Sequence, residues 1–397
     1  MISQEYIKIE NELGAHNYHP LDVVVSHAEG CWVYDVDGKK YLDCLAAYSA
    51  VNQGHCHPKI YKTFVEQAAK VTLTSRAFRN DRLPLFYQKL NEMTGYEMSL
   101  PMNSGAEAVE TAIKLARRWA YDVKGIEKDK AEIIVATGNF HGRTTTIVGF
   151  SDDPDSNNGF GPYCREAFPF HTFGDIEDLK SKITPNTAAI LIEPIQGEGG
   201  IVIPPTGYLK AIEEVCKANN ILFICDEIQS GLGRSGKLFA HYYENVRPDI
   251  VIIGKALSGG FYPVSAVLAD KRIMLVIHPG EHGSTFGGNP LGAAVAVKAL
   301  EVIQEEDLIN RSFEMGKYFT ERLREIKSSK IELVRSVGLW IGLVLKEKAR
   351  PYCEKLKEEG VLCKDTHEVI IRIAPPLVIS KEEIDWAISK FEKVLAD

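Results

Sequence analysis

Four apolar runs that follow one another along the chain constrain its fold most. They are "AEIIVAT", "TAAILIEPI", "NILFICDEI" and "DIVIIGKAL", and each carries consecutive aliphatic residues without polar alternation. Such runs are typical of strands that are buried on both faces of a parallel sheet. Helical patterns separate them, as in "TGYLKAIEEVCKANN", where Thr206 is a candidate N-cap. This order predicts an α/β fold with a mainly parallel sheet flanked by helices.

The chain length predicts more than one domain. At 397 residues it exceeds one ordinary compact core, so we expect a large domain and a smaller one. The C-terminal third changes character, because short strands there alternate with helices. We divide the chain into residues 1–50, an N-terminal segment that contributes to a small α+β domain, residues 51–288, the large domain, and residues 289–397, the C-terminal small domain.

Local patterns predict two elements of the small domain. "GCWVYDVDGKKYLDC" reads as a hairpin with two strands around Asp37–Gly38. Near the C-terminus, Ser380 and Glu383 have the spacing of a capping box, which predicts a final helix to about Leu395.

Composition and charge exclude several classes of function. The net charge of −8 argues against a nucleic-acid partner, which would require a concentrated basic surface. No apolar run approaches the length of a membrane span, and the N-terminus does not resemble an export signal. The eight cysteines form no Cys-x-x-Cys pair, so we expect reduced thiols and a cytoplasmic location. The run "HCHP" lacks partner Cys/His pairs, so we expect no metal site.

Two of the buried runs end in a charged residue. Asp226 follows "ILFIC", and Lys255 follows "DIVIIG". The carboxyl edge of a parallel sheet is where ligands bind in α/β folds. A carboxylate and an amine at this edge could form a structural ion pair, or both could contact one ligand that needs an amine at one end and a carboxylate at the other. Pyridoxal phosphate has these needs, because its aldehyde condenses with a lysine and its ring nitrogen must stay protonated.

The phosphate of such a ligand requires hydrogen-bond donors, and two segments offer them. "NSGAEA" places Ser104, Gly105 and Ala106 at the start of a long helix, which is either a phosphate site or an ordinary capped helix start. "HGSTFGGNP" offers the hydroxyls of Ser284 and Thr285, and it could equally be a loop that joins domains.

The segment "GNFHGRT" offers two further candidates. Phe140 follows a strand and could stack on a planar ring, or it could belong to the core. Arg143 could bind a carboxylate through two parallel hydrogen bonds, or it could be solvated or paired with another side chain.

Taken in order, the helix-start glycine, the aromatic residue, the aspartate, the lysine and the Gly-rich hydroxyl turn resemble the class III pyridoxal-phosphate aminotransferases of fold type I. The resemblance runs nearly end to end and implies a seven-stranded, mainly parallel sheet in a cofactor-binding large domain. "DEIQSGLGRSG" implies that Asp226 pairs with the pyridine nitrogen and that Gln229 contacts the ring hydroxyl. "GKALSGG" implies that Lys255 forms the Schiff base. Phe140 would stack on the ring.

The same resemblance implies the phosphate contacts and the assembly. Ser104, Gly105 and Ala106 would bind the phosphate of their own subunit. Ser284 and Thr285 would reach the active site of the neighbouring subunit in a homodimer.

Shorter stretches are similar to the branch of the family that acts on ornithine. "NYHP" and "AYSAVNQGHCHP" imply that Tyr18 and Tyr48 line the substrate pocket. Arg143 would bind the substrate carboxylate remote from the reacting end, and Glu198 of "EPIQGEGG" would pair with Arg372 of "IIRIAPP". The implied substrates are ornithine and 2-oxoglutarate, with N-acetylornithine or 4-aminobutyrate as the alternative amine donor.

Overall fold

The computed structural model describes residues 1–397 and contains fifteen β-strands. In chain order they are β1 (Val25–Glu29), β2 (Trp32–Asp35), β3 (Lys40–Asp43), β4 (Met98–Met102), β5 (Glu132–Ala136), β6 (Phe170–His171), β7 (Thr187–Ile192), β8 (Leu222–Asp226), β9 (Ile250–Ile253), β10 (Ser265–Ala269), β11 (Ile331–Ser336), β12 (Ile341–Leu345), β13 (Val361–Leu362), β14 (Lys364–Thr366) and β15 (Ile370–Ile373). They form one seven-stranded sheet and two four-stranded sheets.

Fourteen α-helices and four short 3₁₀ or π segments accompany the strands; the α-helices are numbered here. They are α1 (Ser3–Leu13), α2 (Ala46–Ser49), α3 (Pro58–Ala68), α4 (Leu83–Thr94), α5 (Gly105–Trp119), α6 (Thr145–Gly149), α7 (Pro154–Asn157), α8 (Ile176–Ser181), α9 (Tyr208–Asn219), α10 (Lys271–Met274), α11 (Pro290–Glu305), α12 (Leu308–Glu325), α13 (Arg350–Glu358) and α14 (Lys381–Leu395). None of them combines the length and the apolar character that a bilayer crossing requires.

The central sheet has the strand order β4-β10-β9-β8-β7-β5-β6. Only β10 runs against its neighbours, so the predicted α/β fold with a mainly parallel seven-stranded sheet is confirmed. Every residue of β7, β8 and β9 is buried, as their uniform apolar runs predict. β10, which the sequence analysis did not identify as a strand, is buried throughout as well. Alternate side chains of each strand enter two different cores, because successive residues point to opposite faces: Ile133 packs with α5, and Ile134 packs with α9.

The N- and C-terminal segments meet in one sheet. β2 and β3 form the predicted hairpin, and Gly38 in its turn has φ +88°. β13, from the C-terminal third, pairs in parallel with β3, so Val361 lies opposite Leu42. The other small sheet, in the order β11-β12-β15-β14, is built from the C-terminal third alone. The exact division of the chain at residues 50 and 288 stays a prediction.

Helix boundaries follow the predicted caps at one helix and differ at another. α14 begins with the predicted capping box of Ser380 and Glu383 and ends at Leu395. At α9 the prediction of Thr206 as the N-cap is wrong. Gly207 occupies that position with φ +90°, a conformation that suits glycine, and the Glu244 carboxylate caps the helix by accepting the amides of Gly207 and Lys210, both at 2.9 Å.

Candidate active site

Asp226 ends β8 and is buried. Its Oδ2 lies 2.8 Å from Nδ1 of His141, and its Oδ1 accepts the amide of Ile228 at 3.0 Å. The structural ion pair of Asp226 with Lys255 considered from the sequence does not form, because His141 is the partner of the carboxylate. Burial opposes the charged form of His141, but the hydrogen bond and charge of Asp226 outweigh it and raise the pKa of His141.

Lys255 follows β9 and begins a single 3₁₀ turn, Lys255–Ser258. Its φ of +45° is unusual for a residue with a Cβ and costs of order 1 kcal/mol, a kind of strain that clusters at functional sites. The ammonium has no ion-pair partner. Burial lowers the pKa of Lys255 to about 8, and the nearby charge of Glu198 opposes this effect. Lys255 therefore presents an amine that is free to react.

A third strand end carries a charge that the sequence analysis overlooked. Glu193 follows β7, and its carboxylate accepts the amides of Phe140 at 3.0 Å and of Gly197 at 3.2 Å. Burial raises the pKa of Glu193 to about 7. The signal was present in "AAILIEPI", where an acidic residue ends an apolar run just as Asp226 does.

The start of α5 offers free backbone donors. Ser104 is the N-cap, and the Glu107 carboxylate accepts the amides of Asn103 at 3.0 Å and of Ser104 at 2.7 Å. The next two amides, of Gly105 and Ala106, have no acceptor within the protein. Unpaired amides at the positive end of a 15-residue helix favour an anion.

Ile228 joins this helix start to the lysine segment, and the sequence analysis did not single it out. A Cβ on Gly105 would lie 2.9 Å from Cδ1 of Ile228, so any other residue there would require the Ile228 side chain to shift. The same side chain would lie 3.5 Å from a Cβ on Gly254, the residue before Lys255. Packing on one side chain thus brings the free amides, the lysine and the carboxylate of β8 to one place.

The hydroxyl turn lies beside the same helix start. Ser284 Oγ accepts a hydrogen bond from Nδ2 of Asn103 at 2.7 Å. Thr285, the next residue, is exposed in the single chain, as is Phe286. The structure brings Ser284 to the site of its own chain and directs the adjoining residues outward.

The remaining residues predicted from the sequence to contact the ring or the substrate lie on two loops. Phe140 is half-buried, and its backbone is held by Glu193. Arg143 is exposed, with its guanidinium carbon 5.6 Å from the centre of the Phe140 ring. Gln229 is buried, and its Nε2 lies 3.4 Å from the backbone oxygen of Tyr48.

Glu198 and Arg372 meet across the site. Glu198 Oε1 accepts Nη1 of Arg372 at 2.9 Å, and Nη2 donates to the backbone oxygen of Gly197 at 3.0 Å. Burial opposes ionisation of Glu198, but the charge and hydrogen bond of Arg372 overcome it and lower the pKa of Glu198. Arg372 is almost fully buried, and a buried charge requires a partner of opposite charge. Glu198 is that partner.

The two tyrosines differ in their distance from this pair. The guanidinium carbon of Arg372 lies 5.6 Å from the centre of the Tyr48 ring. Tyr18 is mostly exposed and approaches the site only through Lys364, whose Nζ lies 5.8 Å from the centre of its ring. The structure therefore places Tyr48 inside the site and Tyr18 at its mouth.

These groups fit pyridoxal phosphate. A reactive amine, a buried carboxylate backed by a histidine and two unpaired helix-start amides are the functional groups that an aldehyde, a ring nitrogen and a phosphate require. The fit rests on the free amine of Lys255 and the free amides of Gly105 and Ala106.

Comparisons with known proteins cover almost the whole chain. The model of the class-III aminotransferase family matches residues 13–395. The ornithine aminotransferase of Brevibacillus brevis is 61% identical over 389 residues, which are 98% of this chain and 97% of that protein. Among solved structures, an ornithine aminotransferase from Toxoplasma gondii superposes with a TM-score of 0.97 at 42% identity, covering 99% of this chain and 94% of that chain. An acetylornithine aminotransferase from Elizabethkingia anophelis gives 0.91 at 48% identity, covering 100% and 99%.

Proposed function

Because this chain belongs to the class-III aminotransferase family, we propose that it transfers the δ-amino group of L-ornithine to 2-oxoglutarate. The products are L-glutamate and glutamate 5-semialdehyde, which cyclises to pyrroline-5-carboxylate. Pyridoxal 5'-phosphate is the proposed cofactor.

The observation that carries the assignment of an ω-amine as the amino donor is the neutralised arginine. Arg372 lies beside the site, but Glu198 pairs with it at 2.9 Å. The δ-carbon of ornithine bears no carboxylate, so the reacting end of this substrate needs a pocket without an open cation. An α-amino acid would need the opposite, because its carboxylate adjoins the reacting carbon.

Each proposed cofactor contact rests on a group described above. Lys255 would bind the aldehyde, and the amides of Gly105 and Ala106 with the hydroxyl of Ser104 would bind the phosphate. Phe140 would stack on the ring, and Gln229 would contact the ring hydroxyl. When bound, pyridoxal phosphate supplies an electron-accepting ring that stabilises negative charge at the substrate carbon.

Protein groups would hold and move the protons. Asp226, held by His141 and the amide of Ile228, would keep the ring nitrogen protonated. Lys255 Nζ would take the proton from the δ-carbon of ornithine and return it one position away. Burial lowers the pKa of Lys255 to about 8, so a useful fraction of the free amine is present near neutral pH.

Both substrates must use one pocket, although only glutamate and 2-oxoglutarate carry a carboxylate next to the reacting carbon. In our proposal Glu198 covers Arg372 while ornithine reacts and releases it to the carboxylate of the second substrate. Arg143 would bind the carboxylate remote from the reacting carbon in both half-reactions. Tyr48 and Tyr18 would line the substrate pocket between Arg143 and Arg372.

The second substrate candidate is N-acetylornithine, and 4-aminobutyrate is a third. The acetylornithine aminotransferase of Elizabethkingia anophelis, at 48% identity, favours the first of these over the second. All three are ω-amines, and a pocket in which Glu198 pairs with Arg372 would accept the reacting end of each.

The test is an assay of the purified protein with each amine and 2-oxoglutarate. Ornithine is expected to give the highest kcat/KM and to yield the pyrroline, whereas Lys255→Ala yields none. Borohydride reduction of the loaded protein is expected to leave the pyridoxyl label on Lys255. A higher kcat/KM with N-acetylornithine, or a label on another residue, would contradict the proposal.

A further inference from the structure

Lys364 lies beside the Glu198–Arg372 pair, and the function proposed above gives it no role. It begins β14, and the register of β14 with β15 places it directly opposite Arg372. Residues in this relation project from the same face of a sheet, so their side chains are neighbours. Two cations therefore stand side by side, an arrangement that destabilises a sheet unless a carboxylate or another group compensates for it.

The ammonium of Lys364 is held by aromatic side chains. Its Nζ donates a hydrogen bond to Oη of Tyr48 at 2.8 Å. It lies 5.3 Å from the centre of the Tyr48 ring and 5.8 Å from that of Tyr18, which are cation–π distances. No carboxylate pairs with it. Lys364 is therefore a cation whose partner can change without the loss of an ion pair.

Glu198 is attached to the same strand by its backbone. Thr366, two residues after Lys364, donates its hydroxyl to the backbone oxygen of Glu198 at 2.8 Å. The Glu198 side chain is 32% exposed, so it has room to turn while the backbone stays fixed. Burial opposes its ionisation, yet Arg372, Lys255 and Lys364 together lower the pKa of Glu198, so the charge of Lys364 already acts on this carboxylate.

The inference rests on the proposed function, in which Glu198 releases Arg372 to a substrate carboxylate. A carboxylate that leaves its guanidinium in a partly desolvated place requires another cation. Lys255 is committed to the cofactor and to proton transfer. We propose that Lys364 is the positioning residue that receives Glu198 in this second state.

Every charge then keeps a partner in both states. While ornithine reacts, Arg372 pairs with Glu198, and Lys364 donates to Tyr48. While glutamate or 2-oxoglutarate reacts, Arg372 pairs with the substrate and Glu198 with Lys364. Lys364 thereby sets how readily the site accepts a substrate that has a carboxylate at its reacting end.

The experiment compares the two half-reactions of the loaded protein, each followed by cofactor absorbance with ornithine alone or glutamate alone. In Lys364→Met the rate with glutamate is expected to fall at least tenfold more than the rate with ornithine, and Lys364→Arg is expected to restore most of it. The matched control is Lys355→Met. Lys355 has a similar contact with a tyrosine, 5.3 Å from the centre of the Tyr352 ring, but lies on α13 outside the site, so both rates should be unchanged.

Two further measurements separate this role from a structural one. Binding of glutarate, a five-carbon dicarboxylate that cannot react, should weaken at least fivefold in Lys364→Met. In a Glu198→Gln background, Lys364→Met should no longer have its selective effect on glutamate. Equal losses in both half-reactions, or a selective effect that persists in the Glu198→Gln background, would overturn the inference. No turnover of ornithine by the wild-type protein would overturn the proposed function instead.

Discussion

Two carboxylates at the ends of neighbouring strands organise the residues around the proposed ring site. β7 and β8 are parallel neighbours, so Glu193 and Asp226 lie at the same edge of the sheet. Asp226 binds His141, and Glu193 binds the adjoining amide of Phe140 together with that of Gly197. The loop that follows β5 is thus fixed at two successive residues, Phe140 and His141. This fixes the position of the Phe140 ring relative to the Asp226 carboxylate.

Glu193 should make the stability of the protein depend on pH. Burial raises its pKa in the folded protein to about 7, above the ordinary value of 4.5. At pH values between these two pKa values, the folded state therefore keeps a proton on Glu193 that the unfolded state has released. The contribution of Glu193 to stability falls as pH rises from about 5 to 7. One unit of pKa corresponds to about 1.4 kcal/mol, so over the difference between 4.5 and about 7 this contribution changes by at most about 3.5 kcal/mol.

Glu193→Gln removes the titrating proton. The thermal midpoint of the wild-type protein minus that of Glu193→Gln should therefore decrease between pH 5 and pH 8. Glu332→Gln serves as the control, because Glu332 is exposed on β11. A midpoint difference that stays constant or increases with pH would refute this assignment.

At the scale of elements, α2 is a short turn of the opposite hand to the other helices. Its four residues, Ala46–Ser49, have φ between +48° and +71°, which costs of order 1 kcal/mol for each residue with a Cβ. Asp43 precedes the turn, and its Oδ1 accepts the amides of Leu45 and Ala46. The turn directs Tyr48 into the site, so the strain is concentrated where the tyrosine is placed.

The capping box of α14 should be worth a measurable amount of stability. Ser380 Oγ accepts the amide of Glu383 at 3.1 Å, so Ser380→Ala leaves that amide unpaired and should cost about 1 kcal/mol. For a chain of this size the thermal midpoint should fall by about 1–2 °C. Ser389→Ala, within the same helix, removes only a bond to the Trp386 carbonyl and should leave the midpoint unchanged or slightly higher. Equal midpoints for both variants would contradict the role of the cap.

At the scale of the whole molecule, the single chain leaves apolar side chains uncovered beside the site. Phe286 is 46% exposed and Phe78 is 72% exposed. Their segments adjoin, because Nδ2 of Asn80 donates to the backbone oxygen of Gly288 at 3.2 Å. Exposed apolar clusters of this kind mark interaction surfaces. We propose that a second copy of the chain covers them and that Thr285 then serves the neighbouring site.

Mixed dimers test this arrangement. Lys255→Ala and Thr285→Ala subunits should each give poorly active homodimers when expressed alone. Coexpressed, they should regain activity, because one site of the mixed dimer has its own Lys255 and the partner's Thr285. Sedimentation should give twice the mass of one chain. A monomer, or a mixture no more active than its components, would exclude the proposal.

The sequence by itself determined the elements whose cause is local. Uniform apolar runs predicted the parallel strands, the Ser380–Glu383 spacing predicted the start of α14, and charged residues after two buried runs pointed to Asp226 and Lys255. Each of these signals lies within a few residues of the feature it specifies. The motif order added the family, because it extends over nearly the whole chain.

Only the tertiary structure decided which groups meet. His141 is 85 residues from Asp226, and Arg372 is 174 residues from Glu198. The proximity of Lys364 to Arg372 depends on the register of two strands, and a shift of one residue would turn its side chain to the other face. Such contacts depend on the energy of the whole packed chain, since no short stretch of sequence contains both partners.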